Sequence, residues 1–271
     1  MTKASVFGKK DYQSEYTDKV IAEGGSKFTA KVFLYVLIAL AITAVTTMAF
    51  AGILNAIFAN GNDSQISALI TAAIVMAIGY IPLIIWIQIA VLRGGKGLAP
   101  AFVIYSIFIG ALLSPIIAVF NALDTAGFSS IAGFSLMGAI GIAFGLTCAV
   151  FGIMTLIAWT TKKNLSGLAV AAYGLLMGIA LTFLLSFIIT LISGQEAGVL
   201  SGIISGAFFI FVILVTMNDL YNIRRIAARG EASSNLAMVC AFSLYTDFVY
   251  IFIKILGFVI RLLLIFGNNR R

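Results

Sequence analysis

The sequence lacks histidine altogether, and charged residues make up only 10% of its 271 positions. Without histidine, the chain has no Ser-His-Asp triad, no HExxH metal site and no imidazole proton relay. Acidic residues number only ten, which leaves little material for a metal centre or for acid–base catalysis. A di-aspartyl protease would need no histidine, but the glycine-rich context of such proteases is missing. We therefore expect neither an enzyme nor a bound cofactor.

Cysteine is also scarce. The chain has two cysteines, Cys148 and Cys240, and both fall inside apolar segments. A free cysteine in such a segment usually behaves as a small buried hydrophobic side chain. We expect this role for both residues, and their number says little about the redox compartment.

Long apolar runs dominate the rest of the chain, which is 62% hydrophobic with a mean hydropathy of +1.12. A soluble domain carries about 25% charged residues, and a helix needs about 20 apolar residues to cross a bilayer. The sequence predicts an all-α polytopic membrane protein with a polar N-terminal arm (residues 1–30), a seven-helix membrane domain (31–267) and a short basic tail (268–271). Because the first residues are polar, we expect no cleavable signal peptide. The seven predicted segments are 32–59, 66–92, 98–123, 131–159, 165–192, 197–216 and 236–266.

Basic residues alternate between the two sides of the predicted membrane. The first, third and fifth inter-helix loops have no base and one acid each, whereas thirteen of the 17 bases lie in the arm and in the even-numbered loops. This asymmetry predicts a cytoplasmic N-terminus and argues against a nucleic-acid partner, because the charge follows the loops. The bases concerned are Lys3, Lys9, Lys10, Lys19, Lys27, Lys31, Arg93, Lys96, Lys162, Lys163, Arg224, Arg225 and Arg229.

The seventh segment allows two topologies. A full span would place Arg270 and Arg271 outside, whereas a broken, re-entrant segment would return them to the cytoplasm. The length of the segment favours a full span.

Two aspartates lie at predicted membrane depth. Asp219 closes the apolar run 208–217, and Asp247 lies inside the run 236–266. A carboxylate there costs about 2.5–3.5 kcal/mol on insertion scales, so such residues usually face the bundle interior or a watery path. They are the main candidates for a functional site.

The seventh segment also carries a polar stripe. Ser243, Asp247, Tyr250, Lys254 and Arg261 are spaced by 4, 3, 4 and 7 residues, which puts them on one narrow helical face. This pattern predicts a central seventh helix surrounded by the other six. The alternative is an ion pair that merely locks the bundle, although Asp247 and Lys254 lie two turns apart, about 10 Å along the axis.

Glycine stripes predict close helix packing around that centre, because small residues let backbones approach closely in lipid. They occur in the fourth, fifth and sixth segments. Their members are Gly138, Gly141, Gly145, Gly152, Gly174, Gly178, Gly198, Gly202 and Gly206.

Three stretches carry a family resemblance: TCAVFGIMTLIAWTTKKNLSGL, VTMNDLYNIRRI and SLYTDFVYIF. In this order they resemble the transmembrane Bax inhibitor motif family of Bax inhibitor-like integral membrane proteins. Asp219 and Asp247 match the two aspartates of the family motifs. The departures are Asn164 for a usual Asp, Asn218 and Leu220 for common Tyr and Thr, and Thr246 and Tyr250 for usual Leu and Asn.

The resemblance implies six helices in two layers around a central seventh helix. It also implies a pH-sensitive calcium leak channel in which Asp219 and Asp247 form a proton sensor, bind calcium weakly and transiently, and are assisted by an arginine. Arg93 is the candidate arginine, and Lys254 is a second supporting charge. Two adjacent carboxylates at low dielectric resist double ionisation, so the pair would share one proton.

Other functions remain open. Some relatives are similar to regulators that bind a protease or a cell-death or stress factor, and here residues 1–30 would make the contact. A proton-coupled transporter is disfavoured because no inverted repeat is visible. The expected partners are the lipid bilayer, calcium, protons and a membrane protein. The compact chain favours a bacterial plasma membrane over an internal eukaryotic one.

Overall fold

The computed structural model describes residues 4–60, 63–123, 136–161, 167–193, 198–230 and 233–268. These residues form seven α-helices. The helices are α1 (Ala4–Asn60), α2 (Asp63–Leu92), α3 (Leu98–Leu123), α4 (Leu136–Thr160), α5 (Gly167–Ser193), α6 (Gly198–Arg229) and α7 (Ser234–Asn268).

Each predicted segment falls on one helix, but the predicted end of the sixth is wrong. Helix α6 continues beyond Thr216 to Arg229, so Asp219, which closes the apolar run, lies inside the helix. The extension is amphipathic: Leu220, Ile223 and Ala227 recur on one face and are buried against the bundle. The three arginines that were expected in the sixth loop, Arg224, Arg225 and Arg229, therefore lie on the last turns of α6.

Helix α7 is unbroken over its 35 residues, about 52 Å at the α-helical rise. It begins with an N-cap, since the Leu236 amide donates a hydrogen bond of 3.1 Å to Ser233 Oγ. A broken, re-entrant seventh segment is therefore not the structure that these residues adopt.

Five of the described helices contain segments long and apolar enough to cross a membrane. Where their side chains are described, α2 and α5 are also apolar, over Ile78–Leu92 and Val170–Leu184. Many large apolar side chains, including Leu37, Val45 and Leu156, lie exposed on the outside of the bundle, where lipid would cover them. The chain is an integral, multi-pass, all-helical membrane protein. The five segments are Gly25–Ile57, Leu98–Ala118, Gly138–Thr160, Ile203–Arg229 and Ser234–Ile260.

The helices pack around a core to which α7 contributes heavily. Helix α7 contacts α1, α3, α4 and α6, whereas α5 packs on α6 and α2 packs mainly on α3. The segments of α3 and α7 bury larger shares of their residues than those of α1, α4 and α6. Leu244 and Tyr245 of α7 are fully buried in this core.

The glycine stripes do not make the predicted close contacts. Gly110 does so instead: a Cβ there would lie 2.7 Å from the Thr43 carbonyl oxygen of α1. The stripe prediction is wrong at the six glycines whose surroundings are described, because a Cβ there would meet nothing within 4 Å. They are Gly141, Gly145, Gly152, Gly174, Gly178 and Gly206.

The prediction for the cysteines is wrong for Cys148. Its side chain is exposed on α4, while Cys240 is half-buried on α7. Cys148 lies three residues after Gly145, so the two residues share one face of α4, and a Cβ at Gly145 would also meet nothing within 4 Å. An apolar segment does not indicate burial within the protein when lipid is the solvent.

Candidate functional site between helices α6 and α7

The structure brings the two predicted aspartates to one interface between antiparallel helices. The Ser243 hydroxyl of α7 donates a hydrogen bond to Oδ2 of Asp219 on α6. Ser243 precedes Asp247 by four residues, so Asp247 lies one turn further along the same face of α7. The predicted pair of carboxylates is therefore a neighbouring pair in the fold.

Asp247 has fewer hydrogen-bond partners than Asp219 among the described residues. Its Oδ2 atom is buried and has no hydrogen-bond partner among the described residues. The side chain lies beside Thr216 and within electrostatic reach of Asp219. The Thr216 hydroxyl donates to the Val212 carbonyl over 2.8 Å, and the same hydrogen is the one that it could offer to Asp247. An ionised Asp247 therefore lies near a second acid, and one of its oxygens has no donor among the described residues.

The polar stripe of α7 continues along α6 beyond the aspartates. The Tyr250 ring lies 5.0 Å from the ring of Phe208 between centroids. Lys254 Nζ donates to Ser205 Oγ over 3.0 Å and lies 5.5 Å from the centre of the Tyr250 ring. The prediction that these polar residues share one face of α7 is confirmed, whereas the function of that face stays a prediction. We call this interface the α6–α7 seam. Its members are Ser205, Phe208, Thr216 and Asp219 on α6 and Ser243, Asp247, Tyr250 and Lys254 on α7. The side chain of Arg261, the last member of the predicted stripe, lies outside the described residues.

The two candidate supporting charges occupy different places. Lys254 is part of the seam, whereas Arg93 is exposed in the turn that follows α2. The groups that act on the Asp219 and Asp247 carboxyls are Ser243, Asn218, Thr216 and each other. The assistance of Arg93 stays a prediction.

Arg224 is a cation to which sequence reasoning gave no structural role. Its terminal nitrogen Nη1 donates two hydrogen bonds of 2.8 Å, to the carbonyl oxygens of Ala158 and Thr161. These carbonyls belong to the C-terminal end of α4, where cations are favourable. Arg224 thus joins α6 to α4 five residues after Asp219.

Tyr245 was missed as an interhelical anchor. Its hydroxyl lies 2.6 Å from Thr43 Oγ1 of α1, and its ring lies 5.3 Å from that of Phe102 on α3. The Thr43 hydroxyl also lies 2.9 Å from the Ala39 carbonyl and 3.1 Å from the Ser106 carbonyl, so either hydroxyl can be the donor of the Tyr245–Thr43 pair. Tyr245 lies about 200° from Asp247 around α7, so this contact fixes the side opposite the seam. Its place in the motif SLYTDF was the only available signal.

The seam offers a small set of oxygen ligands. Calcium usually takes about six to eight oxygens, and the part of the chain that the structure describes holds no cluster of three or more acidic or cysteine side chains. Two carboxylates with neighbouring hydroxyls can exchange a proton and contact a cation briefly. A cavity of about 370 Å³ between α1, α3, α4 and α7 has an almost wholly apolar lining, and neither aspartate lines it.

Comparison with known proteins extends the likeness over most of the chain. Residues 25–270 match the protein family Bax1-I, described as Inhibitor of apoptosis-promoting Bax1. Inner membrane protein YbhL of Escherichia coli (strain K12) is 27% identical over 177 residues, 62% of this chain and 62% of that protein. Uncharacterized protein YrjE of Lactococcus lactis subsp. lactis (strain IL1403) is 25% identical over 197 residues, 69% of this chain and 70% of that protein. The match to YbhL thus spans less than two thirds of that relative's length.

Proposed function

The chain belongs to the Bax1-I family, and from this premise we propose that it is a pH-sensitive calcium leak channel gated by Asp219 and Asp247. The observation that supports the proposal best is the buried Oδ2 atom of Asp247, which has no hydrogen-bond partner in the described residues and lies near a second carboxyl group. Placing an acid of this kind within the membrane costs free energy, and such residues usually mark a functional site.

The proposed sensor is one proton shared between unequal carboxyl groups. Asp219 accepts a hydrogen bond from Ser243, which stabilises its charge. Asp247 has one buried oxygen without a hydrogen-bond donor in the described residues and lies near Asp219, so its negative charge is less well stabilised. The shared proton therefore resides on Asp247, while Asp219 keeps its charge.

The proposed gate is the seam itself. The contacts of Phe208 with Tyr250 and of Ser205 with Lys254 pack α6 against α7 beyond the aspartates, so ions need these helices to separate. Loss of the shared proton leaves two carboxylates in a low-dielectric site, and their repulsion favours separation. Calcium flux should therefore rise as the pH increases from about 6 to about 8.

Calcium passage fits a site with few ligands. Two carboxylates can attract a hard divalent cation, but they hold it weakly, which is compatible with release to the other side. Lys254, two turns from Asp247, adds a positive charge on the same seam and limits cation entry. Arg93 remains the candidate for the assisting arginine. The protein works as a channel without catalysis and without a bound cofactor.

The proposal also includes the finer architecture and orientation. Contacts of α7 with α1, α3, α4 and α6 support a central seventh helix, with the other six arranged in two layers around it. The basic residues of the arm and of the even-numbered connections support a cytoplasmic N-terminus. The similarity to a bacterial inner membrane protein supports a bacterial plasma membrane.

The test is calcium flux into proteoliposomes between about pH 6 and about pH 8. Wild-type protein is compared with Asp219→Asn, with Asp247→Asn and with the double variant, each checked for folding by size-exclusion chromatography. We expect calcium entry that increases with pH in wild type and loses its pH dependence in Asp247→Asn and in the double variant. An unchanged pH response in the double variant would refute the di-aspartyl sensor, and no flux from folded wild type would refute the channel.

The second candidate function is a membrane-embedded regulator that binds a protease or a cell-death or stress factor without conducting ions. The name of the family, Inhibitor of apoptosis-promoting Bax1, favours this function. In this case the helical arm at the start of α1 makes the contact. Removal of residues 1–24 would then abolish capture of the partner, whereas a channel would keep its flux.

A further inference from the structure

A cleft of about 540 Å³ lies where α1, α4 and α6 meet, away from both aspartates. Close approach of Gly25 to α6 forms its base, since a Cβ on Gly25 would lie 2.7 Å from the Ala227 carbonyl oxygen. The lining is mixed rather than apolar. It includes Ser26, Thr29 and Phe33 of α1, Trp159 of α4, and Arg224 and Ala228 of α6.

The cleft lies at the edge of the hydrophobic part of the bundle. The apolar run of α1 begins after Lys31, α4 ends at Thr160, and α6 ends at Arg229. Residues of the cleft are at or next to these three limits, which is the level at which lipid headgroups lie. Trp159 has the position of an interfacial tryptophan, with an apolar ring and a polar N–H.

Arg224 supplies a fixed positive charge to the cleft. Its Nη1 nitrogen is held by the Ala158 and Thr161 carbonyls, each at 2.8 Å, and the other guanidinium nitrogens have no hydrogen bond within the described residues. A guanidinium has five N–H donors in a planar fork that matches phosphate oxygens. No acidic residue is among the described residues that line the cleft. The arginine is thus held by neutral acceptors in a way that leaves donors for an anion.

Additional charge at the same end of the bundle favours an anionic ligand. Lys27, Arg225 and Arg229 are exposed, each within about one turn of the limits given for α1 and α6. Each base near a membrane surface contributes about 1 kcal/mol to the attraction of anionic lipids, and basic pockets between helices bind their headgroups.

We propose that this cleft binds the phosphodiester headgroup of an anionic phospholipid. The phosphate contacts the Arg224 guanidinium, and the Ser26 hydroxyl provides a neutral donor. The Thr29 hydroxyl donates to the Gly25 carbonyl over 3.0 Å, so it can accept a hydrogen bond from a headgroup hydroxyl. The lipid chain follows Phe33 toward the apolar part of α1.

Trp159 allows a direct test because the chain has only two tryptophans. In a Trp86→Phe background, Trp159 is the sole indole and lies in the cleft. Protein in phosphatidylcholine vesicles is titrated with phosphatidylglycerol brominated on its chains or, separately, with brominated phosphatidylcholine. We expect phosphatidylglycerol to quench Trp159 at an about fivefold lower mole fraction.

Arg224→Gln and Arg225→Gln form the matched pair, since both remove one charge from adjacent residues but only Arg224 lines the cleft. The preference for phosphatidylglycerol over phosphatidylcholine should disappear in Arg224→Gln and persist in Arg225→Gln. Ala228→Leu fills the cleft without a charge change and should also abolish the preference, which keeps the test decisive if Arg224→Gln fails to fold. Equal quenching by both lipids, equal losses in the two arginine variants, or full competition by inorganic phosphate would overturn the proposal.

Discussion

Ser243 of α7 donates its hydroxyl hydrogen to the carboxylate of Asp219 on α6, one turn before Asp247 on the same helical face. This contact makes the two aspartates unequal. Asp219 has a donor from the opposite helix, whereas one oxygen of Asp247 is buried without a partner in the described part of the chain. Unequal environments are how two carboxyl groups acquire different protonation states at one pH.

Replacement of Asp247 by asparagine should therefore stabilise the folded protein while it removes the pH response. At about pH 8, the amide eliminates repulsion from Asp219, and the free energy of unfolding should rise by on the order of 1 kcal/mol. At about pH 5, the gain should vanish because the wild-type pair then carries its own proton. Thermal unfolding of detergent-solubilised protein at the two pH values measures the difference.

Asp219→Asn is the comparison for this experiment. It also removes the repulsion, but it weakens the charge-assisted hydrogen bond from Ser243, so its stabilisation should be smaller. A loss of stability in Asp247→Asn at both pH values would contradict the assignment of the unfavourable charge to Asp247.

The hydrogen bond between Tyr245 and Thr43 should couple α7 to α1. Tyr245→Phe and Thr43→Val each remove one partner of the 2.6 Å contact, so the double variant should lose less than the sum of the single variants. Interhelical hydrogen bonds in membranes contribute about 0.6 kcal/mol and at most about 1.7 kcal/mol. A double-mutant cycle on the free energy of unfolding should give a coupling in this range.

Thr46 provides the control for that cycle. Its hydroxyl donates to the Ile42 carbonyl of its own helix over 2.7 Å. Thr46→Val combined with Tyr245→Phe should therefore give additive losses. A coupling as large as that of Thr43 would show that the cycle reports general loosening of α1.

Glycine-to-alanine substitutions should distinguish a glycine that is packed against another helix from one that has only the spacing of a packing motif. Gly110→Ala should destabilise the fold by about 1–3 kcal/mol, because the new Cβ would lie 2.7 Å from a backbone oxygen of α1. Gly145→Ala adds the same methyl group where nothing lies within 4 Å, so it should be neutral or stabilising by up to about 1 kcal/mol. Thermal unfolding of the two variants side by side is the measurement, and similar losses would argue against the observed packing of α1 on α3.

Sequence patterns predicted the positions of the helices well, but they predicted less well which helices pack against each other. Apolar length alone located all seven helices, because a chain in lipid must satisfy its backbone within each spanning segment. The spacing of Ser243, Asp247, Tyr250 and Lys254 predicted one shared face, which the contacts with α6 confirm. Periodicity on one helix can define such a face, but it does not identify the helix that covers it.

Other features depended on packing that no single segment encodes. The described glycines of α4 and α5 have the spacing of a helix interface, but a Cβ there would meet nothing within 4 Å, since lipid tails are as apolar as a neighbouring helix. Arg224 was assigned to a loop because charges usually end an apolar segment. Its position on α6 follows from the buried residues Leu220, Ile223 and Ala227, whose spacing continues the helix.

Lys254 should limit cation flux along the seam. Its ammonium group is held by Ser205 and by the Tyr250 ring, two turns from Asp247. Lys254→Gln removes a charge that repels calcium but leaves both aspartates intact. Calcium flux into proteoliposomes should therefore increase about two- to fivefold while its pH dependence persists.

Lys31→Gln is the matched control. Lys31 is on α1 and also donates to a serine, since its Nζ lies 3.3 Å from Oγ of Ser234, the first residue of α7. It is therefore a hydrogen-bonded lysine that does not belong to the seam. Its removal should leave flux at the wild-type level. If both variants changed flux equally, the effect would reflect net charge rather than the seam. If Lys254→Gln abolished the pH response, Lys254 would belong to the sensor, because its charge would then be needed to set the protonation of the aspartate pair.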